Sequence, residues 1–283
     1  MVGIASENSV QCDTEYSTLK KVVVAKPSYM KITDIINETQ KHYQNQNINV
    51  TTALQQHKHF VQVLENHQVE VIQLPIQPDL HEQVFTRDIG FTIHHRLFIS
   101  SMSEKVRKEE TDVLRNWAGE NDIEVEEGLP SSIEGGDIVV DGSTVWVGET
   151  KRTSAKAIRE LQFRLPDLQV IPIPLRGDIL HLDCVFNIMD ESTVILYPPA
   201  FTNKSLKVIS ARYNVIEVTG SEQFTMGPNV LSIGDRKVIS LPQNERLNTQ
   251  LKENGVEVIP VDLSEIIKSG GSFRCCTLPI KRI

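Results

Sequence analysis

The chain has 283 residues, room for one large domain or two small ones, and 40% of them are hydrophobic, which excludes a disordered chain. Its formal net charge is −8 and no run of Lys or Arg exceeds two, so nucleic acid and anionic membrane are poor partners and a cationic ligand suits it better. No stretch approaches the roughly 20 apolar residues of a membrane helix, residues 1–8 lack the basic and apolar runs of a signal peptide, and Cys12, Cys184, Cys275 and Cys276 match neither a disulfide framework nor a zinc spacing. Free thiols in a reducing cytoplasm are the expectation.

In chain order, Leu-Lys-Lys-Val-Val-Val-Ala-Lys-Pro at 19–27 reads as a strand. Ala53, Leu54, His57, Phe60, Val61 and Leu64 recur at helical spacing over 53–64, ahead of a strand at 69–75. A hairpin follows, 87–93 into 96–100, then a helix over 104–117 with Val106, Val113, Leu114 and Trp117 on its apolar face, then a strand at 123–130. The pattern repeats: a hairpin at 136–148 and a strand at 168–174, a hairpin at 183–197, a helix at 205–213 and a strand at 215–220, a hairpin at 229–240 and a strand at 256–261. Asp-Gly, Glu-Ser and Gly-Asp supply the hairpin turns.

Asp88, Asp137, Asp183, Asn229 and Cys275 open successive units at intervals of 49, 46, 46 and 46 residues. A fixed period of this size predicts a repeat architecture. The fifth unit, starting at Cys275, lacks a second strand before Ile283, and the strand at 19–27 is a spare one. The expectation is an α/β fold, a five-bladed pseudo-symmetric α/β propeller of ββαβ units, one domain over 1–283. The strand near 19–27 closes the ring and removes its sheet edges. Equivalent positions then converge on the axis.

Four segments put polar residues where buried strands begin: Phe85-Thr-Arg-Asp88, Glu134-Gly-Gly-Asp137, His181-Leu-Asp183 and Gly270-Gly-Ser-Phe-Arg-Cys275. Singly, each has an ordinary reading. A lone Asp there is a turn residue, a Gly-Gly pair is a bend, and a Cys near a C-terminus is inert packing. Together, several carboxylates, a His and a thiol are expensive to bury without a compensating cation.

These motifs, in this order, resemble those of the guanidine-modifying superfamily of arginine deiminases, dimethylarginine dimethylaminohydrolases and amidinotransferases. The resemblance spans nearly the whole chain and implies the pentein fold. It implies Cys275 as nucleophile, His181 as acid and base, Glu134 as the carboxylate that orients His181, Asp88 and Asp183 as guanidinium ligands, and Phe85 against the guanidinium face. Arg107 and Arg152, 19 residues after Asp88 and 18 after Glu134, fall where the substrate carboxylate is held, and a planar fork suits that task. Alternation along a strand lets only one of Cys275 and Cys276 address the axis, and the register of 46 selects Cys275. Cys12 and Cys184 are assigned to packing.

The implied reaction is cofactor-free and uses no metal. It cleaves a guanidino C–N bond of arginine or N-methylated arginine, giving citrulline and an amine through a Cys-linked intermediate, most like a dimethylarginine dimethylaminohydrolase. The partner is a small guanidino molecule; a homo-oligomer is compatible with the sequence. Chain length favours this type over the longer arginine deiminases, whereas Asp183 is a departure from it. Rival readings are an amidinotransferase, which passes the amidino group to an amine, and a metal-dependent hydrolase with His181, Asp183 and Glu134 as ligands. A binding protein without activity is the third.

Overall fold

Each repeat folds as a hairpin, a helix and a strand that returns parallel to the hairpin's second strand. The computed structural model describes residues 10–283; the expectation about a signal peptide over 1–8 lies outside the described residues. The chain enters through β1 (Leu19–Val24), a short α1 (Glu38–Tyr43), α2 (Val50–Asn66) and β2 (Glu70–Gln73). Next come β3 (Gly90–Ile93), β4 (Arg96–Ile99), α3 (Glu110–Glu120) and β5 (Val125–Glu126), then β6 (Ile138–Asp141), β7 (Thr144–Glu149), α4 (Ala155–Arg164) and β8 (Gln169–Pro174). The fourth unit is β9 (Phe186–Asp190), β10 (Thr193–Leu196), α5 (Asn203–Ser210) and β11 (Asn214–Glu217), followed by a short α6 (Gly220–Phe224). The last is β12 (Leu231–Gly234), β13 (Lys237–Ser240), α7 (Glu245–Glu253) and β14 (Glu257–Pro260), and β15 (Leu278–Arg282) ends the chain.

These strands form five sheets of three, β15-β1-β2 and the four sequential triplets, the blades of a pentein propeller. In every blade the first pair is antiparallel and the second parallel. In the mixed blade, β1 lies antiparallel to β15, with Val22 opposite Pro279, and parallel to β2, with Val22 opposite Val71. The five sheets remain separate. Between them, isolated backbone bridges such as Ser101 with Ile133 and Leu175 with Phe201 supplement side-chain packing. Apolar clusters sit between neighbouring blades; one holds Val22 and Phe60 of the first blade with Leu231 and Ile239 of the last.

Local chemistry sets the helices. Asn49 caps α2 by accepting from Thr52 N at 3.1 Å, and the face carrying Ala53, His57, Phe60, Val61 and Leu64 is buried at the predicted spacing. Ser154 and Thr202 cap α4 and α5 in the same way. The helix expected over 104–117 is broken instead. A 3-10 turn, Lys105–Arg107, precedes α3, Val106 is 49% exposed, and Arg107 turns inward to be buried. The ion pairs that Arg107 makes, described below, account for the break. The strand expected at 123–130 shortens to β5.

Phe60 on α2 links this packing to the segment before Cys275, because its ring meets Phe273 edge-on at 5.3 Å and neither is exposed. Phe60→Ala should cost about 3–5 kcal/mol of stability by denaturant unfolding and loosen that segment. A loss below about 1 kcal/mol would show that the cluster does not hold it.

Candidate active site

The five register residues lie in turns that immediately precede the inner strands. Asp137, Asp183 and Asn229 end or occupy the 3-10 turns Gly135–Asp137, Leu182–Cys184 and Gly227–Asn229. Asp88 and Cys275 sit in turns before β3 and β15. Strand alternation therefore does not separate Cys275 from Cys276. The turn does: Cys276 N donates to Ser272 O at 2.9 Å and its side chain is wholly buried, while Cys275 lines the cavity described below.

Asn229 fixes the Cys275 turn. Its Oδ1 accepts from Cys275 N at 3.1 Å and Ser272 N at 3.2 Å, and its Nδ2 reaches Cys275 Sγ at 3.1 Å and Asp183 O at 3.2 Å. The Asp183 oxygens stand 3.7 and 3.8 Å from Sγ. Burial pushes the Asp183 carboxyl up, against the opposing charges of Arg274 and His181. Arg274 Nε lies 3.6 Å from Asp183, and its Nη1 donates at 2.5 Å to Glu15, a buried carboxylate from the N-terminal segment. Gly271 lets Phe85 close on the sulfur, since a Cβ there would stand 2.5 Å from the Phe85 ring and 2.8 Å from Cys275 Cβ.

On the other wall, His181 Nε2 and Glu134 Oε2 are 2.9 Å apart, and both residues are fully buried. The second Glu134 oxygen accepts from Ser103 N and Oγ at 3.0 and 3.1 Å. Burial alone would discharge the imidazole; Asp88, the Glu134 hydrogen bond and Asp137 more than offset it and raise His181 to about 10. Burial likewise works against the Glu134 carboxylate, and the hydrogen bond and charge of His181 outweigh it. Both shifts favour the charged pair, imidazolium beside carboxylate. His181 Nδ1 lies 3.5 Å from Asp88 Oδ1, and neither atom has a hydrogen-bond partner. Gly136 makes room for this approach: a Cβ there would lie 2.7 Å from the His181 ring and 2.9 Å from Asp88 Oδ1. Asp88, Glu134 and His181 each offer an atom within 4.8 Å of the others.

The two predicted carboxylate-binding arginines differ. Arg107 forks onto Glu110 (Nε 3.1 Å, Nη2 2.8 Å) and donates through Nη1 to Asp88 Oδ2 at 2.6 Å, so its donors are engaged within the protein. Arg152 donates from Nη2 to Ile36 O at 2.9 Å, with Glu134 Oε2 at 3.5 Å from Nη1. Ile36 belongs to a flap that covers the site. Asn37 Nδ2 donates to Ser269 O at 2.9 Å, and Gln40 Nε2 donates to Glu82 and Ser269 Oγ, both at 2.8 Å. Beneath the flap, Phe85, Asp88, Arg107, Arg152, His181 and Cys275 line a cavity of about 10 Å³. That is the room of one water, too little for an amino acid with the 36–40 segment in this position.

A family model described as N,N dimethylarginine dimethylhydrolase, eukaryotic, matches residues 26–282. The chain belongs to that family. An uncharacterized protein of Bacillus subtilis, YkgA, is 48% identical over 98% of this chain and 97% of its own. An N(G),N(G)-dimethylarginine dimethylaminohydrolase of Mycobacterium tuberculosis is 28% identical over 92% of this chain and 86% of its own. The substrate-bound N-terminal domain of ArgZ, an arginine dihydrolase of cyanobacteria, superposes with a TM-score of 0.85 over 93% of this chain and 98% of that one, at 24% identity, and so shares the fold. By family, this protein is a guanidino-modifying hydrolase of the pentein superfamily. Among the described residues no helix is long and apolar enough to cross a membrane, and the four cysteines are free.

In this family member, six of the eight predicted site residues line the cavity, and Glu134 and Asp183 stand against His181 and Cys275. Asn229, Arg274, Glu110, Glu82 and the flap were not read from the sequence as site elements. Asn229 alone carried a signal, since it shares the 46-residue register with Cys275. Because the His181 pKa is raised, its contribution to stability is complete below the ordinary value near 6.5 and is lost as pH climbs through about 10, while that of the lowered Glu134 carboxyl is lost as pH falls through about 2. Glu134→Gln should shift the His181 titration, followed by NMR, down by at least about one unit and cost about 3–5 kcal/mol. A His181 titration unchanged in the variant would contradict the pairing.

Proposed function

We propose that the protein hydrolyses a guanidino C–N bond of arginine or an N-methylated arginine, with Cys275 as nucleophile. One observation carries this reading. An unpartnered acceptor, Asp88 Oδ1, and an unpartnered donor, His181 Nδ1, adjoin a cavity that Cys275 also lines. A flat cation bearing N–H groups and an amine leaving group satisfies both. Arg107 holds the other Asp88 oxygen, so it serves to aim Asp88 rather than to bind substrate. Arg152 becomes available to the substrate carboxylate when Ile36 withdraws with the flap.

The chemistry follows from these placements. A bound guanidinium beside the sulfur favours the thiolate, the reactive form. Sγ attacks the central carbon while Asp88 and Asp183 accept its N–H groups and Phe85 covers its face. His181 Nδ1 gives its proton to the departing amine, and an amidino thioether remains on Cys275. Water then attacks that carbon and returns a proton to His181. The C–S bond breaks, and the ureido product leaves with the thiolate restored. The reacting centre is cationic, which explains a site walled by carboxylates rather than by oxyanion donors.

Asp183 bears on the leaving group. A carboxylate at full burial gains from N–H and loses from N–CH₃. Arginine meets both carboxylates with donors, whereas asymmetric dimethylarginine must turn its methylated nitrogen away from each. The family favours the dimethylated substrate, and Asp183 favours nitrogens that keep hydrogen. Incubation with arginine and, separately, asymmetric dimethylarginine should yield citrulline from at least one, with Cys275→Ser reducing it by about 10³-fold or more. Citrulline output indifferent to Cys275→Ser, or amidino transfer to glycine or ornithine in place of hydrolysis, would overturn the reading.

A further inference from the structure

Cys184 has no part in the reaction just described, yet it lies beside the sulfur that does. Cys184 Sγ donates to Asp183 Oδ1 at 3.6 Å, and Cys275 Sγ stands 3.8 Å from the same oxygen. The reactive atoms of Asp183, Cys184 and Cys275 all lie within 4.8 Å of one another. The rest of the Cys184 surroundings are apolar, with Ile179, Val185, Ala200 and Met226 in its cluster. Two thiols that converge on one carboxylate oxygen, one of them open to a small cavity, form the arrangement of an attacking and a resolving cysteine.

We propose that Cys184 and Cys275 form a reversible disulfide when the protein meets a hydroperoxide, which protects the nucleophile from irreversible oxidation. The cavity next to Cys275, about 10 Å³, has the room of one water, and hydrogen peroxide is the smallest hydroperoxide. The Cys275 thiolate attacks the terminal peroxide oxygen. An S–O bond forms, the O–O bond breaks, and the leaving oxygen takes a proton and departs as alcohol or water. Cys184 sulfur then attacks the Cys275 sulfenic sulfur. The S–S bond forms and the S–O bond breaks, while Asp183 Oδ1 passes the Cys184 proton to the departing hydroxide, which leaves as water. The two sulfurs together lose two electrons, and the hydroperoxide is reduced by the same two. A thiol reductant reverses the bond. Disulfide formation removes the nucleophile, so turnover stops while the bond lasts.

The alternative partner, Cys276, is adjacent in sequence and directed into the core. Cys12 Sγ donates to Pro279 O at 3.6 Å. Neither thiol is grouped with Cys275 and Asp183 as Cys184 is.

The test is peptide mass spectrometry on the full chain, treated with equimolar hydrogen peroxide, blocked with iodoacetamide and digested without reduction. The expected result is a peptide pair linked through Cys184 and Cys275 that separates on dithiothreitol. In Cys184→Ser, Cys275 should instead accumulate roughly tenfold more sulfinic and sulfonic acid than in the wild type. A Cys275 linked to Cys276 or Cys12, or a wild-type Cys275 that overoxidises as fast as the variant's with no linked peptide, would overturn the proposal. The wild-type cross-link is read without any variant and without any turnover. A protein inactive on guanidino compounds would still give it, so this result and that of the product assay fail separately.

Discussion

The architecture is organised around a balance of buried charge at the ring axis. Glu15, Asp88, Glu110, Glu134 and Asp183 are all enclosed, as are Arg87, Arg107, Arg152, Arg274 and His181. An uncompensated charge at such depth would cost several kcal/mol, so each carboxylate has to face a cation. Arg107 serves Asp88 and Glu110, Arg274 serves Glu15 and Asp183, and His181 serves Glu134. Arg107 and Glu110 are three residues apart, whereas the other partners come from separate segments that the fold brings together. Pairs of this kind contribute little net stability over an apolar core, but they fix which oxygen points where. Asp88 shows the consequence: one oxygen is tied to Arg107, and the other is left without a hydrogen-bond partner, 3.5 Å from His181 Nδ1.

The N-terminal segment is part of that balance, not an appendage. β1 completes the blade that β15 begins, which ties the Cys275 turn to the opposite end of the chain. Just before β1, Glu15 reaches Arg274, the residue that precedes Cys275, and Arg87, the residue that precedes Asp88. The opposing charges of Arg274 and Arg87 outweigh burial and hold Glu15 at about 2. The segment thus anchors two of the site's turns from below while the flap, Ile36 to Gln40, closes it from above.

Much of this was legible in the sequence, for identifiable reasons. The blades were visible because apolar alternation and turn chemistry repeat at a fixed interval, and β15 with β1 could be paired because each lacked a mate. The convergence of Asp88, Asp183 and Cys275 followed because one position per repeat is polar where a strand should start, while the roles of these and of Phe85, Arg107, Glu134, Arg152 and His181 were implied by the resemblance of the motifs to the superfamily. Long-range geometry was not legible. The helix expected over 104–117 is interrupted because Arg107 is drawn inward by Asp88 and Glu110, a demand that periodicity does not register. For the same reason we propose that Arg107 aims Asp88 instead of binding the substrate carboxylate. Cys184 looked like packing because it occupies no special place in the repeat, and only the fold sets it beside Cys275. The flap left no trace, since its contacts with Ser269 and Glu82 join segments far apart in sequence.

A covalent bond between Cys275 and the substrate's central carbon is the claim on which the account stands. Rapid acid quench of the protein during turnover of arginine, followed by mass spectrometry of the peptide containing Cys275, tests it directly. The account predicts an amidino adduct on Cys275 that appears before ureido product and disappears as substrate is exhausted. Turnover with an unmodified Cys275 at every time point, under conditions where a synthetic thioether adduct survives the quench, would contradict it.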